Sequence, residues 1–502
     1  MRARFWNFPR RFNLPAASVV PLASLGAERV ERRLVIGCRS RRPTYIVALN
    51  DLAEVNMKRS SLRDIILTVA AGGLEIFERT AGRRHEDIVV MCNRLLHLKG
   101  EASAISLAHG ILTTYKNLSS RNRVQFFARL LTELMPNAER LNQAIGAYQR
   151  EPNAATLAAL QSAAESPRQE LFRLLNMGPD GTASIVLMRQ DLLGMLAKYP
   201  HLWPVDDDVV HLLRSWFNRG FLQIERISWK TPAFILEKLI EYESVHEIRG
   251  WDDLHRRLAD DRRCFAFFHP ALPDEPLIFV EIALTNGLAG SIQEVLSAKV
   301  PDRDSEFKPD AAIFYSINNC QPGLSGVSFG NFLIKQVTDS LAEEIPSLKY
   351  YATLSPVPRF RAWLNEELLA PQSALGFSES ERSYLSELDD PLSYEHVVKM
   401  HQLKPLLMYL CAYYLLNAKR GDEPRDAVAR FHLRNGARLE RINWLGDRSE
   451  KGLRESAGML VNYLYDRKVV ARNHEVYVNN NEIIHSSAIE QLIRKRPHIT
   501  PV

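Results

Sequence analysis

The stretch that most limits what this chain can fold into is residues 311–360. It opens with a short apolar run, Ala311 to Ile317, of a length that suits a buried strand. A loop carrying Gly323, Gly326 and Gly330 follows, and apolar residues then recur at Phe329, Phe332, Leu333, Val337 and Leu341, which is helical spacing. A second strand-like run, Tyr350 to Leu354, stops at Ser355-Pro356. Strand, glycine loop, helix and strand make a βαβ unit. The loop sits where the free N–H groups of a first helical turn can meet an anion, and glycines let the backbone approach phosphates closely. A plain connection between strand and helix has the same pattern, so the unit alone names no ligand.

The flanks of this unit differ. From Ser60 to about Phe217 the apolar spacing is helical nearly throughout: Leu62, Ile65, Ile66, Val69 and Ala70 share one face, and Ile88, Val89, Cys92, Leu95 and Leu96 another. Further segments near 123–135, 138–149, 153–164, 167–176 and 183–198 keep the spacing, which predicts seven to nine short helices. After Trp203-Pro204 the pattern changes. Phe221–Ile227, Cys264–Phe268 and Leu277–Ala283 read as strands, while Trp229–Ile248, Trp251–Leu258 and Ala289–Val300 read as helices. These elements, with the βαβ unit, predict an open mixed sheet with helices packed on it. The fold class expected is therefore α+β: an all-helical domain over 57–217, then an α/β domain over 218–502.

Composition excludes several classes of function. With 502 residues, 46% hydrophobic and 25% charged, the chain can bury two or three full cores. Its longest apolar run, Pro405–Leu416, is too short for a bilayer and suits a buried helix. The net charge of +5 is uneven: residues 1–60 hold twelve Lys/Arg against four acids, +8, so the remainder carries 5 − 8 = −3. No basic stripe points to nucleic acid and no segment to a membrane. The Arg-rich, acid-poor residues 1–56 read as a leader or as residues before a true start near Met57. A mitochondrial presequence has that composition too, so the expected location is cytoplasmic, or the mitochondrial matrix if the segment is a targeting peptide. Five scattered cysteines (Cys38, Cys92, Cys264, Cys320, Cys411) without a CxxC pair argue against disulfides and a structural zinc site. His85, His97 and His109 share no ligand spacing, and no metal is expected.

Two residues stand out for chemistry. Pro356 pushes Ser355 towards extended geometry at the end of a strand, facing the cleft beside the glycine loop, although a plain Ser-Pro turn is the simpler explanation of the residues alone. His432 ends a helix-like run, Asp426–Arg434, closed by Asn435-Gly436, where a structural histidine is also at home.

The pieces SGVSFGNFLIK, TLSPVPRF, FHLRNGA and RINWLGDRS, in this order, resemble the malonyl-CoA decarboxylase family from about residue 60 to the C-terminal region. The resemblance implies an N-acetyltransferase-like (GNAT) catalytic domain whose glycine loop, Ser325, Gly326, Val327, Ser328, Phe329, Gly330 and Asn331, holds the coenzyme A pyrophosphate. It implies malonyl-CoA as substrate and a helical domain used to build a homo-oligomer, a tetramer in the family. It matches Ser355 and His432 to the catalytic serine and histidine, and Tyr465 to a tyrosine that orients His432 or the substrate carboxylate. Arg441 and Asn443 contact substrate or hold a turn, and Lys335 reaches coenzyme phosphates or is a solvated lysine. The usual acetyltransferase loop, Q/R-x-x-G-x-G/A, keeps only its last glycine, Gly330; Ser328 stands where the first would be, and where family members often carry an acid.

The implied reaction asks for no organic cofactor, because a thioester carbonyl can itself accept the electron pair left by departing carbon dioxide. The protein must orient the breaking bond, stabilise an enolate oxyanion and protonate carbon. Ser355 would hydrogen-bond the carboxylate or enolate and His432 would donate the proton. No GxSxG elbow surrounds Ser355, so it is not expected to act as a nucleophile. Two other readings stand: an acyl-CoA-dependent acyltransferase in the same cleft, and a non-catalytic interaction protein built on the helical half.

Overall fold

A computed structural model of the chain describes residues 87–497 except 302–306, 328–332, 371–372 and 387–393. The Arg-rich start, the first expected helical face (Leu62 to Ala70), His85, and Ser328, Phe329, Gly330 and Asn331 of the glycine loop lie outside the described residues. Those described belong to one compact unit.

Among the described residues, eight α-helices make up the first part: Ile88–His97, Glu101–Lys116, Ser120–Glu133, Ala138–Arg150, Ala154–Ala164, Pro167–Asn176, Gly181–Leu196 and Trp203–Trp216. Their starts follow from local chemistry. Asp87, Ser119, Asn137, Asn153 and Ser166 each accept a hydrogen bond from a first-turn N–H, and Pro167 occupies a first-turn position where its missing N–H costs nothing.

The described residues of the second part hold ten strands. These are β1 (Gln223–Ile227), β2 (Arg262–Phe268), β3 (Ile278–Thr285), β4 (Ala311–Asn319), β5 (Tyr350–Thr353), β6 (Ser355–Pro356), β7 (Lys419–Arg420), β8 (Glu423–Pro424), β9 (Arg438–Asn443) and β10 (Leu460–Leu464). β7 and β8 form a separate small pair. In the main sheet β1 to β4 run antiparallel in sequence order, β4 and β5 are parallel, and β10 is antiparallel to both β5/β6 and β9. β5 and β6 lie along one edge of β10 in one register, with Ala352 opposite Leu464 and Ser355 opposite Val461. The chain thus has the α+β architecture expected of it: helices first, then a mixed sheet with its βαβ unit closed by the helix Leu333–Glu344.

Three helices differ from expectation. Trp229–Ile248 is helical only over Ala233–Tyr242, because Pro232 precedes it and the Glu243 carboxylate accepts from the N–H groups of Val245 and His246, which closes the chain into a turn. Ala289–Val300 shortens to Ile292–Ser297, since the Leu288 and Ala289 carbonyls are held by the Arg441 and Asn462 side chains. Pro405–Leu416 is part of a longer helix, Tyr394–Asn417, that carries Pro405 within it. No helix among the described residues is long and apolar enough to cross a membrane.

Candidate active site

The site lies where β4 and the β5–β6 segment part company. β4 pairs with β5 from Ala311 opposite Tyr350 to Phe314 opposite Thr353. The Leu354 N–H makes a last bond to the Phe314 carbonyl at 2.9 Å. Beyond it, Ser355 and Pro356 stay with β10, while β4 runs on to Asn319 beside β3. The opening is a cleft of about 550 Å³. β4 (Phe314, Ile317, Asn319), Gly326, Val327, Ser355 and the helix Ala427–Arg434 with His432 border it. A free strand edge and an apolar wall suit an elongated ligand with amide groups.

His432 owes its position to the short helix that bears it. Asp426 caps the helix, accepting from Ala429 N at 2.7 Å, and Gly436 ends it with φ +80, a conformation glycine adopts without strain. A Cβ on Gly436 would also collide with the Val470 carbonyl. The helix end as expected from Asn435-Gly436 is therefore the one found.

The structure brings Ser355, His432 and Tyr465 together, all of them buried. Ser355 Oγ lies 3.0 Å from His432 Nε2, and His432 Nδ1 lies 2.7 Å from the Tyr465 phenol oxygen. Ser355 Oγ also donates to Thr353 Oγ1 at 2.9 Å. Each ring nitrogen thus faces a hydroxyl that can donate or accept, and the two contacts serve either tautomer of the imidazole. The Tyr463 ring stacks on the imidazole at 4.5 Å between centroids, and Tyr463 N–H donates to Thr353 Oγ1 at 3.2 Å. Burial holds the imidazole down, at about 3, and drives the Tyr465 phenol well above its ordinary range. The resting site is a neutral relay of hydroxyls around a neutral imidazole.

Arg441 and Asn443 do not border the cleft. Both donate to Asn462 Oδ1, at 3.1 and 2.9 Å, and Asn462 Nδ2 donates to the Thr353 carbonyl at 2.7 Å. They brace the strand that carries Thr353 and Ser355 from behind. Lys335 is exposed on the helix after the glycine loop. Gln321 is buried and donates to the Pro276 carbonyl at 3.3 Å. Among the described residues no cluster of His, Cys, Asp and Glu could hold a metal ion.

Sequence reasoning missed Thr353, Tyr463 and the two arginines of the cleft wall, Arg430 and Arg434. The first two were within reach, since strand alternation puts Thr353 on the face of Ser355 and Tyr463 on that of Tyr465. The arginines stand two residues either side of His432, without a pattern of their own.

Residues 134–217 match the family description "Malonyl-CoA decarboxylase N-terminal domain" and residues 220–500 "Malonyl-CoA decarboxylase C-terminal domain". The chain is 38% identical over 352 residues to the mitochondrial malonyl-CoA decarboxylase of Anser anser anser, covering 65% of this chain and 69% of that protein. To the corresponding Rattus norvegicus protein it is 36% identical over 345 residues, 64% of this chain and 70% of the relative. The crystal structure of malonyl-CoA decarboxylase from Rhodopseudomonas palustris is similar with a TM-score of 0.76 and 46% identity, over 80% of this chain and 98% of that one. That from Agrobacterium vitis gives 0.76 and 46% over 82% and 100%. The chain belongs to the malonyl-CoA decarboxylase family, a family of carboxy-lyases.

Proposed function

We propose that this protein converts malonyl-CoA to acetyl-CoA and carbon dioxide in the cleft between β4 and β6. The observation that carries the reading is the Ser355–His432–Tyr465 relay at the wall of a cleft of about 550 Å³. The coenzyme lies along the free edge of β4 with its diphosphate towards the segment from Ser325. Its malonyl group then meets Ser355 and His432.

A carboxylate set beside the neutral Ser355–His432–Tyr465 relay favours the charged imidazole, so His432 takes up a proton in the substrate complex. The bond between the carboxylate carbon and the α-carbon breaks. Its electron pair moves into the thioester carbonyl, and carbon dioxide leaves without charge. The Ser355 hydroxyl, swung from Thr353, donates to the enolate oxygen. The pair then returns to the α-carbon, which takes the proton from His432 and leaves acetyl-CoA. One proton is consumed per turnover, and the thioester itself serves as the electron sink.

The test is acetyl-CoA release from malonyl-CoA by the purified protein with no acceptor added, beside His432→Gln and Ser355→Ala. His432→Gln is expected to lower kcat by about a hundredfold or more, the usual worth of a general acid. Ser355→Ala is expected to lower it by about tenfold, the worth of one hydrogen bond to a charged oxygen. Turnover that survives both changes would discard these roles, and turnover that requires an amine acceptor would replace decarboxylation by acyl transfer.

A further inference from the structure

A buried side chain ties the helical region to the turn that leads into the cleft. Arg189, on the helix Gly181–Leu196, is 4% exposed, and Asp206 on the next helix is 2% exposed. Arg189 Nε donates to Asp206 Oδ1 at 2.8 Å. Its Nη1 donates to two backbone carbonyls far along the chain, Gly323 at 2.7 Å and Ser325 at 2.8 Å. These belong to the turn that precedes Gly326 and Val327, both of which border the cleft. One helical turn before Arg189, the Val186 carbonyl packs so close to Gly323 that any Cβ there would collide with it.

A buried ion pair contributes little net stability, so its value here is in geometry. The turn has no strand ladder to hold it, and Gly326 sits at φ +77. In a trans peptide the C=O and N–H point opposite ways. With the Ser325 carbonyl fastened to Arg189, the Gly326 N–H points away from the guanidinium. Asp206 holds the guanidinium so that one nitrogen spans both carbonyls. A lysine ammonium on the same stem has no planar fork with which to serve carboxylate and carbonyls together.

We propose that Arg189 is a positioning residue for the coenzyme arm of the substrate: it sets the Gly323–Gly326 backbone from the helical region, so that the helices form part of the acyl-coenzyme A site. The inference rests on the coenzyme A thioester reading given above.

The experiment compares the whole protein with Arg189→Lys and with the double variant Arg189→Met/Asp206→Leu, which removes the pair without stranding a buried charge. A matched control is Arg168→Met/Asp208→Leu. That pair is also buried in the helical region, with Nε to Oδ2 at 2.7 Å, and its remaining guanidinium bonds go to Leu131 and Leu134 of the same region. Readouts are kcat and KM for malonyl-CoA, coenzyme A affinity by calorimetry, and thermal melting. The Arg189 double variant is expected to raise KM and to weaken coenzyme A binding by about tenfold or more, the worth of one charged hydrogen bond, with kcat within about threefold of the parent. The control keeps both values, and Arg189→Lys falls between. Unchanged KM and coenzyme A affinity in a double variant that melts like its parent would overturn the proposal. So would an equal loss in the control, which would make the effect one of helical stability alone. A parent that binds coenzyme A yet releases no acetyl-CoA would sink the decarboxylase reading, while the affinity readout still decides the role of Arg189.

Discussion

Burial holds the His432 imidazole at about 3, and its two ring nitrogens meet hydroxyls, not a carboxylate that would oppose the effect. A neutral imidazole cannot hand over a proton and remain comfortable, so substrate must change it. A non-reactive thioether analogue of malonyl-CoA should therefore bind with proton uptake that grows as the pH falls from about 7 to about 5, because a neighbouring carboxylate favours the charged imidazole. Calorimetry in two buffers of different ionisation enthalpy measures this. His432→Gln should show no uptake. A parent that binds without uptake would mean that the proton reaches carbon from another donor. At this scale the chemistry-bearing types were readable: Ser355, His432 and Tyr465 all follow from the motifs. Their mutual contact was not, since 77 residues separate Ser355 from His432 and 33 separate His432 from Tyr465.

The short helix Ala427–Arg434 is the element on which the site depends, and Asp426 governs it. Burial lifts the Asp426 carboxyl to about 6, against an ordinary 3.8. Between those values the folded state holds the proton more tightly than the unfolded one. That stabilisation is fully present below about 3.8 and is lost as pH rises through about 6. Asp426→Asn keeps a capping oxygen without the buried charge, so thermal melts at pH 8 should match or exceed the parent. Asp426→Ala loses the cap, at about 1 kcal/mol, and should also lower kcat because His432 lies two turns along. Equal melting and activity for the Ala and Asn variants would mean that the cap does not set the helix. Element types were readable where the local code is strong: side-chain caps, glycine at a helix end, and the strand–loop–helix–strand run. They were misjudged where distant side chains intervene, as when Arg441 and Asn462 take the carbonyls that would have begun the helix before Ile292.

Across the whole molecule, one hydrophobic core joins Phe126, Phe127 and Val186 of the helices to Phe265, Phe314 and Tyr463 of the sheet region. Helices and sheet should thus unfold together, and scanning calorimetry of the full chain should show a single transition. Two separate peaks, one for each region, would contradict a shared core. Local periodicity, charge and motif were enough to determine the order of helices and strands, the class of fold and the residue types proposed for the chemistry. These depend on neighbours a few positions apart, which a chain carries with it before it folds. Three things were decided only by tertiary structure: the splay of β4 from β6, the neutral relay from Tyr465 through His432 to Thr353, and the hold of Arg189 on the loop 134 residues away. Hydrogen bonds and desolvation act through space, and the distances that set them exist only once strand and helix have packed.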